Sequence, residues 1–196
     1  NEAIPRVAAD PAVRCVVLTG AGGAFCSGGD VKGFASDNAG GGGTIPSLEE
    51  RVHNLRQGME LSRWLHEMPK PTLAIIPGAA AGAGLSLALA CDLRFCLDTA
   101  KITTAFSKIG ASGDYGGSYF LPYLVGAAKA RELYFTADVI SGTEAFAMGL
   151  VNKVASADVF DAESKAYAQT LANLPTVAVG YMKKNLNTAQ NGTLAD

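Results

Sequence analysis

The sequence predicts an α/β fold, and three observations carry that reading. A β-branched run from Val13 to Thr19 ends at Gly20 and reads as a buried strand feeding a glycine-rich turn. A second such run, Thr72 to Ile76, turns at Pro77-Gly78 into a Gly/Ala-rich segment that becomes apolar and helical through Ala90. Between the two, Leu48, Val52, Leu55, Met59 and Leu65 recur at helical spacing with charged residues interleaved, which predicts one long amphipathic helix.

The remaining elements follow in order. Between the first strand and the long helix, Ser36 to Ser47 is rich in glycine and low in apolar content, so backbone entropy favours a loop, read as a lid or flap. Pro69 and Pro71 stop the long helix. After the second helix, Leu93 to Leu97 and Ile102 to Ala105 read as short strands, followed by a turn over Gly110 to Gly117 and an apolar helix. Ser141 with Glu144 forms a capping-box pattern opening a helix to Met148, and Gly149 is placed to end it. Helices over residues 159–174 and 176–190 complete the chain, and no sequence repeat of fixed period is visible.

Composition narrows the function classes. The chain has 196 residues, 48% of them apolar and 17% charged, enough for one domain with a sizeable core. Sixteen Lys and Arg oppose eighteen Asp and Glu without long single-sign runs, so no broad basic surface for nucleic acid is expected. Cys15, Cys26, Cys91 and Cys96 include no C-x-x-C pair and sit in apolar or glycine-rich surroundings, which suits small packed side chains better than a disulfide or metal site. The longest apolar stretch is broken by Asp92 and Arg94, well short of the roughly 20 residues that span a bilayer. The opening residues lack the basic and apolar regions of a secretory signal, so a cytoplasmic address is the default expectation.

Three segments are candidates for chemistry. The run from Gly20 to Asp30, directly after a strand, superficially invites a dinucleotide or phosphate reading. Phe25 stands where the dinucleotide fingerprint wants glycine or alanine, and the Gly-Lys-Ser/Thr of a phosphate loop is absent. Glycines this dense can still bring backbone N–H groups close to a ligand oxygen, the alternative being a tight turn without a ligand. In the second segment, Gly82 to Ser86 opens a helix, where unsatisfied N–H groups and the positive end of the dipole point outward. Two such amide sites can clamp one carbonyl oxygen. Gly84 to Ala88 also approaches a nucleophile elbow, but His53 and His66 both precede Ser86, the wrong order for that hydrolase fold. Ser86 then reads as a small buried residue bonded to its own helix, and the two histidines as solvent-facing or packing residues. The third segment, Ala105 to Ser118, places Asp114 in a small-residue turn before an apolar helix. Alone, Asp114 reads as an N-cap; beside the two amide turns, it reads as an acid/base group.

Taken together, the three segments resemble the crotonase (enoyl-CoA hydratase/isomerase) superfamily over nearly the whole chain. Phe25 to Lys32 looks like the family's first oxyanion segment, with Gly29 as amide donor, and Pro77 to Asp92 looks like the second, with Ala83 as the other donor. The resemblance implies that these amides bind an acyl-CoA thioester and stabilise its enolate, each contributing about 3 kcal/mol. It implies substrate contacts at Gly28, Gly29, Asp30, Val31, Lys32, Ala83, Ser86 and Phe106, with Lys32 either a phosphate- or adenine-side contact or a solvated loop lysine. The implied fold is a spiral of ββα units with C-terminal helices, in one domain over residues 1–196 that lacks the family's first strands and part of its C-terminal helical region. A homotrimer or dimer of trimers is the implied assembly. No metal or dissociable redox cofactor is implied, coenzyme A being part of the substrate.

The departures from the family pattern set the expected mechanism. Family hydratases hold the attacking water between two glutamates, and Ser86 and Phe106 stand at those two positions. Asp114 falls instead where dienoyl-CoA isomerases, ring-epoxide isomerases and chlorobenzoyl-CoA dehalogenases of the family place a working aspartate. Desolvated beside Phe106, it should have a raised pKa suited to removing a proton and returning it elsewhere, which favours isomerisation of an unsaturated or cyclic acyl-CoA. Hydration of a 2-enoyl-CoA in fatty-acid or related acyl-CoA breakdown is the alternative, with water held by Asp114 and Tyr115 or Ser86. Nucleophilic attack by Asp114, carbon–carbon hydrolysis and a non-catalytic acyl-CoA-binding homologue are the other options.

Overall fold

The structure, a computed structural model, describes residues 3–29 and 46–195. A short helix, α1 (Ala3–Ala9), precedes strand β1 (Val16–Thr19). The long helix α2 (Leu48–Glu67) opens with a capping box: Ser47 accepts from the Glu50 amide, and the Glu50 carboxylate accepts from the Ser47 amide. It is followed by β2 (Thr72–Ile76), β3 (Ala80–Ala81) and helix α3 (Ala83–Ala90). Strands β4 (Leu93–Leu97) and β5 (Lys101–Thr103) lead through a 3₁₀ turn (Phe106–Ile109) to helix α4 (Gly117–Thr136), which breaks at Gly126 (φ 77°). The chain ends with β6 (Ile140–Ser141), α5 (Gly142–Ala147), β7 (Lys153–Ala155), α6 (Phe160–Asn173) and α7 (Thr176–Asn191).

The strands divide between two sheets. The parallel order β1-β2-β4-β7 forms one, and β3-β5-β6 the other. Cys26 bridges to Ala80 and so extends the second sheet by one short segment. The chain therefore repeats one unit: a strand in the first sheet (β1, β2, β4), a short strand in the second (Cys26, β3, β5), then a helix (α2, α3, α4). This is the α/β spiral of ββα units followed by C-terminal helices that the resemblance implies. The central strands β2 and β4 of the first sheet are buried on both faces. Leu73 and Phe95 pack with Phe160 and Leu171 of α6 on one side, while Ala74, Ile76 and Cys96 join Leu85, Ala88 and Leu121 in the main core on the other.

Several element bounds moved. The first strand starts at Val16 rather than Val13, since Val13 and Arg14 carry no ladder pairing. The strand expected to reach Ala105 stops at Thr103, because Ala105 turns into the left-handed region (φ 60°). The helix α1 and the strands β3, β6 and β7 have no counterpart in the sequence reading; three of them have only two or three residues, too few to show a period. The Ser141–Glu144 capping box, the helix it opens and the left-handed Gly149 beyond it are as expected. Most of the loop expected over Ser36 to Ser47 lies outside the described residues.

Buried cations join the helices to the sheet. The Lys70 ammonium donates to the carbonyls of Val7 and Asp10 at the end of α1. The Arg94 guanidinium, 2% exposed, donates to the carbonyls of Cys91 and Leu150 at 2.7 and 2.8 Å. Lys183 of α7 donates to Leu65 O and to the Asp92 carboxylate at 2.7 and 2.9 Å.

Candidate active site

The first two candidate segments meet as backbone. Phe25 and Cys26 donate their amides to Ala79 O at 2.9 and 3.1 Å, and Ala81 returns a hydrogen bond to Cys26 O at 2.9 Å. The turn after β1 is thus stitched to β3 and to the start of α3. Two glycines make the approach possible. A Cβ at Gly84 would lie 2.6 Å from Cys26 Cβ and closer still to its carbonyl oxygen. Gly28 adopts φ +94°, and a Cβ there would stand 3.0 Å from Ala81 O and 3.7 Å from the Ala83 amide nitrogen.

Ala83 is the first residue of α3, so its N–H has no intrahelical acceptor, and it makes no hydrogen bond to any described residue. Gly29, exposed, follows Gly28 directly. The structure therefore brings the Gly28–Gly29 turn to the N-terminus of α3, as two amide donors to one oxygen require. Asp30, Val31 and Lys32 lie outside the described residues.

The third segment closes on the same helix. Phe106 is buried, its ring beside Gly82 at the cap of α3, 3.8 Å from a Cβ there. Ser86, 2% exposed, donates its hydroxyl to Gly82 O at 3.3 Å, as read from the sequence. Neither histidine approaches: His53 is exposed, and His66 packs on Phe120 with ring centres 5.1 Å apart.

Asp114 departs from the capping role. The N-cap of α4 is Gly116, which makes no side-chain capping bond, and Asp114 contributes only its backbone carbonyl, accepting from Gly117 N at 3.2 Å. Its Oδ1 is buried without a hydrogen-bond partner among the described residues. Burial holds its pKa above the ordinary aspartate value. The turn around it is tightly wound: Gly113, Tyr115 and Gly116 have φ of 101°, 50° and 78°. For Tyr115 that conformation costs about 1–3 kcal/mol. Ser62 of α2 holds it by donating to Tyr115 O at 2.8 Å. A cavity of about 1450 Å³ between α2, α4 and α7 reaches this turn at Tyr115 and Gly116.

One residue of this cluster escaped the sequence reading. Tyr134 lies on the second half of α4, beyond the break at Gly126, and its ring stacks on Phe106 with centres 6.0 Å apart and planes 10° from parallel. Its phenol is pushed up to about 12, first by burial and then by the charge of Asp114, so it is a hydrogen-bond donor at neutral pH. In sequence, Tyr134 is one aromatic in an apolar helix, indistinguishable from core.

Two sheets wound as ββα units, with a glycine turn held against a helix N-terminus, define the crotonase-like class of α/β fold. The protein-family model described as "Enoyl-CoA hydratase/isomerase" matches residues 1–196. The chain is 34% identical over 193 residues to a 1,2-epoxyphenylacetyl-CoA isomerase of Escherichia coli strain K12, covering 98% of this chain and 72% of that protein. It is 34% identical over 188 residues to a crotonyl-CoA hydratase of Syntrophomonas wolfei, covering 95% and 69%. A crystal structure of an enoyl-CoA hydratase from Polaromonas sp. JS666 superposes with a TM-score of 0.86 at 34% identity, covering 99% of this chain and 73% of that one. The chain belongs to the enoyl-CoA hydratase/isomerase family and is an enzyme of the crotonase superfamily.

Proposed function

We propose that the amides of Gly29 and Ala83 stabilise the enolate oxygen of an acyl-CoA thioester and that Asp114 handles the reacting proton. The observation carrying this is the Asp114 carboxyl, whose Oδ1 is shut from solvent without a partner among the described residues. Leaving a buried acceptor unpaired costs about 1–3 kcal/mol, a cost found where a group is kept free for chemistry. Burial also raises its pKa toward the range in which one carboxyl takes and returns a proton.

Of the reactions open to such a site, addition of water to a 2-enoyl-CoA, in fatty-acyl or related thioester breakdown, is the better supported. The crotonyl-CoA hydratase and the Polaromonas enoyl-CoA hydratase carry that activity in their names. In this reaction the water oxygen bonds to C3 and gives its proton to Asp114. The C2=C3 electrons move onto the thioester oxygen, where the two amides meet the charge, and Asp114 then protonates C2. Isomerisation, which the residues alone favour, is the second reading. It rests on Ser86 and Phe106 in place of two glutamates and on the likeness to the 1,2-epoxyphenylacetyl-CoA isomerase.

Incubation in heavy water with saturated, 2-enoyl and 3-enoyl CoA esters, followed by mass spectrometry, separates these outcomes. Asp114→Asn is expected to lower turnover by about 10²–10⁴-fold with CoA-ester affinity within about twofold of the parent. Full activity in Asp114→Asn would remove the role; double-bond migration without water addition would establish the second reading.

A further inference from the structure

Two hydroxyl oxygens meet at the end of the Asp114 turn, and the enolate chemistry does not use them. A Cβ at Gly117 would lie 2.5 Å from the Tyr134 hydroxyl and closer still to Ser86 Oγ, so these two oxygens are neighbours over the first residue of α4. The Tyr134 ring also covers Gly113, its Cε1 lying 3.1 Å from a Cβ there. Tyr134 thus spans both glycines that flank the Asp114 turn. Its hydroxyl makes no hydrogen bond to a described residue, and Ser86 Oγ, donating to Gly82 O, keeps acceptor capacity. The wall runs on: the Phe106 ring lies beside Gly82 at the cap of α3, Phe106 stacks on Tyr134, and Tyr134 stands over the Asp114 turn.

A neutral phenol donor, a hydroxyl with a spare lone pair and the Asp114 carboxylate supply the partners that an ordered water needs. We infer that Tyr134 is a water-positioning residue, donating its hydroxyl hydrogen to the oxygen of the water whose own hydrogen faces the Asp114 carboxylate. This inference rests on the hydration reading. The water then accepts from Tyr134, donates to Asp114, and directs its remaining lone pair at C3. The C3–O bond forms as the O–H bond to the transferred proton breaks, so nothing beyond water and the enoyl thioester is consumed.

The test uses two reactions of the intact protein. Hydration of a 2-enoyl-CoA needs the positioned water, whereas exchange of the C2 protons of a saturated CoA ester in heavy water needs Asp114 and the amides alone. Tyr134→Phe is expected to lower the hydration kcat by about 10- to 100-fold, with KM and C2 exchange each within about threefold of the parent. An equal fall in hydration and exchange would make Tyr134 a structural support and overturn the inference, as would an unchanged hydration rate in Tyr134→Phe. A parent protein that exchanges C2 protons but never adds water would instead overturn the hydration reading itself.

Discussion

Asp114 shows how one carboxyl couples chemistry to stability. Its folded-state pKa is raised by burial, so its contribution to stability is fully present below the unfolded value of 3.8 and is lost as pH rises through the folded value. At neutral pH the ionised carboxylate therefore opposes folding. Asp114→Asn should melt at a higher temperature than the parent at pH 7, and the difference should shrink toward pH 4 in scanning calorimetry. A mutant that melts lower at both pH values would mean that the carboxylate is stabilising. The acid limb of the activity profile should likewise lie above the ordinary aspartate range. The position of Asp114 was legible in the sequence, but its free side chain was not: a serine, threonine or aspartate before a helix reads first as a cap. That Gly116 takes the cap position instead depends on a left-handed turn that local sequence does not announce.

At the level of elements, the site is a junction between a turn and a helix start, and glycine decides how close they come. Gly84→Ala forces a methyl group against Cys26 and should separate the Gly28–Gly29 turn from the Ala83 amide. Overpacking of this kind costs about 1–3 kcal/mol, measurable by urea denaturation. Misplacing one oxyanion donor should lower kcat by about 10²–10³-fold. Parent-like kcat in Gly84→Ala would show that the close contact does not set the donor geometry. The strands and helices flanking these segments were readable from period and turn residues, down to the capping box at Ser141. Tyr134 was not, because the break at Gly126 that redirects α4 toward Asp114 lies within an otherwise continuous apolar pattern.

For the whole molecule, the C-terminal helix α7 is tied to the core through one buried cation. Lys183, 6% exposed, meets the Asp92 carboxylate at 2.9 Å, and Asp92 in turn accepts from the Thr72 amide and hydroxyl at the start of β2. Lys183 is buried and Asp92 half-buried, so removing one member of the pair strands the other in a largely desolvated site. Lys183→Met should destabilise the protein by about 3–5 kcal/mol, and adding Asp92→Asn should recover part of that loss, since the stranded charge is then gone too. Strict additivity of the two substitutions would show that the pair does not act as a unit. Among the described residues, no helix is long and apolar enough to cross a membrane.

By itself, the sequence determined the order of the longer helices and of the strands β1, β2, β4 and β5, the two glycine-rich amide segments and the place of Asp114, because each is written in neighbouring residues through periodicity, turn chemistry and spacing. Only the tertiary structure decided that Asp114 keeps a buried oxygen unpartnered among the described residues, that Tyr134 and Ser86 converge over Gly117 at the end of its turn, and that Lys70, Arg94 and Lys183 are buried rather than solvated. The division has a physical cause. Burial and pairing are properties of side chains brought together from distant parts of the chain, as Lys183 and Asp92 are, and no local pattern of residues encodes which distant partner will arrive.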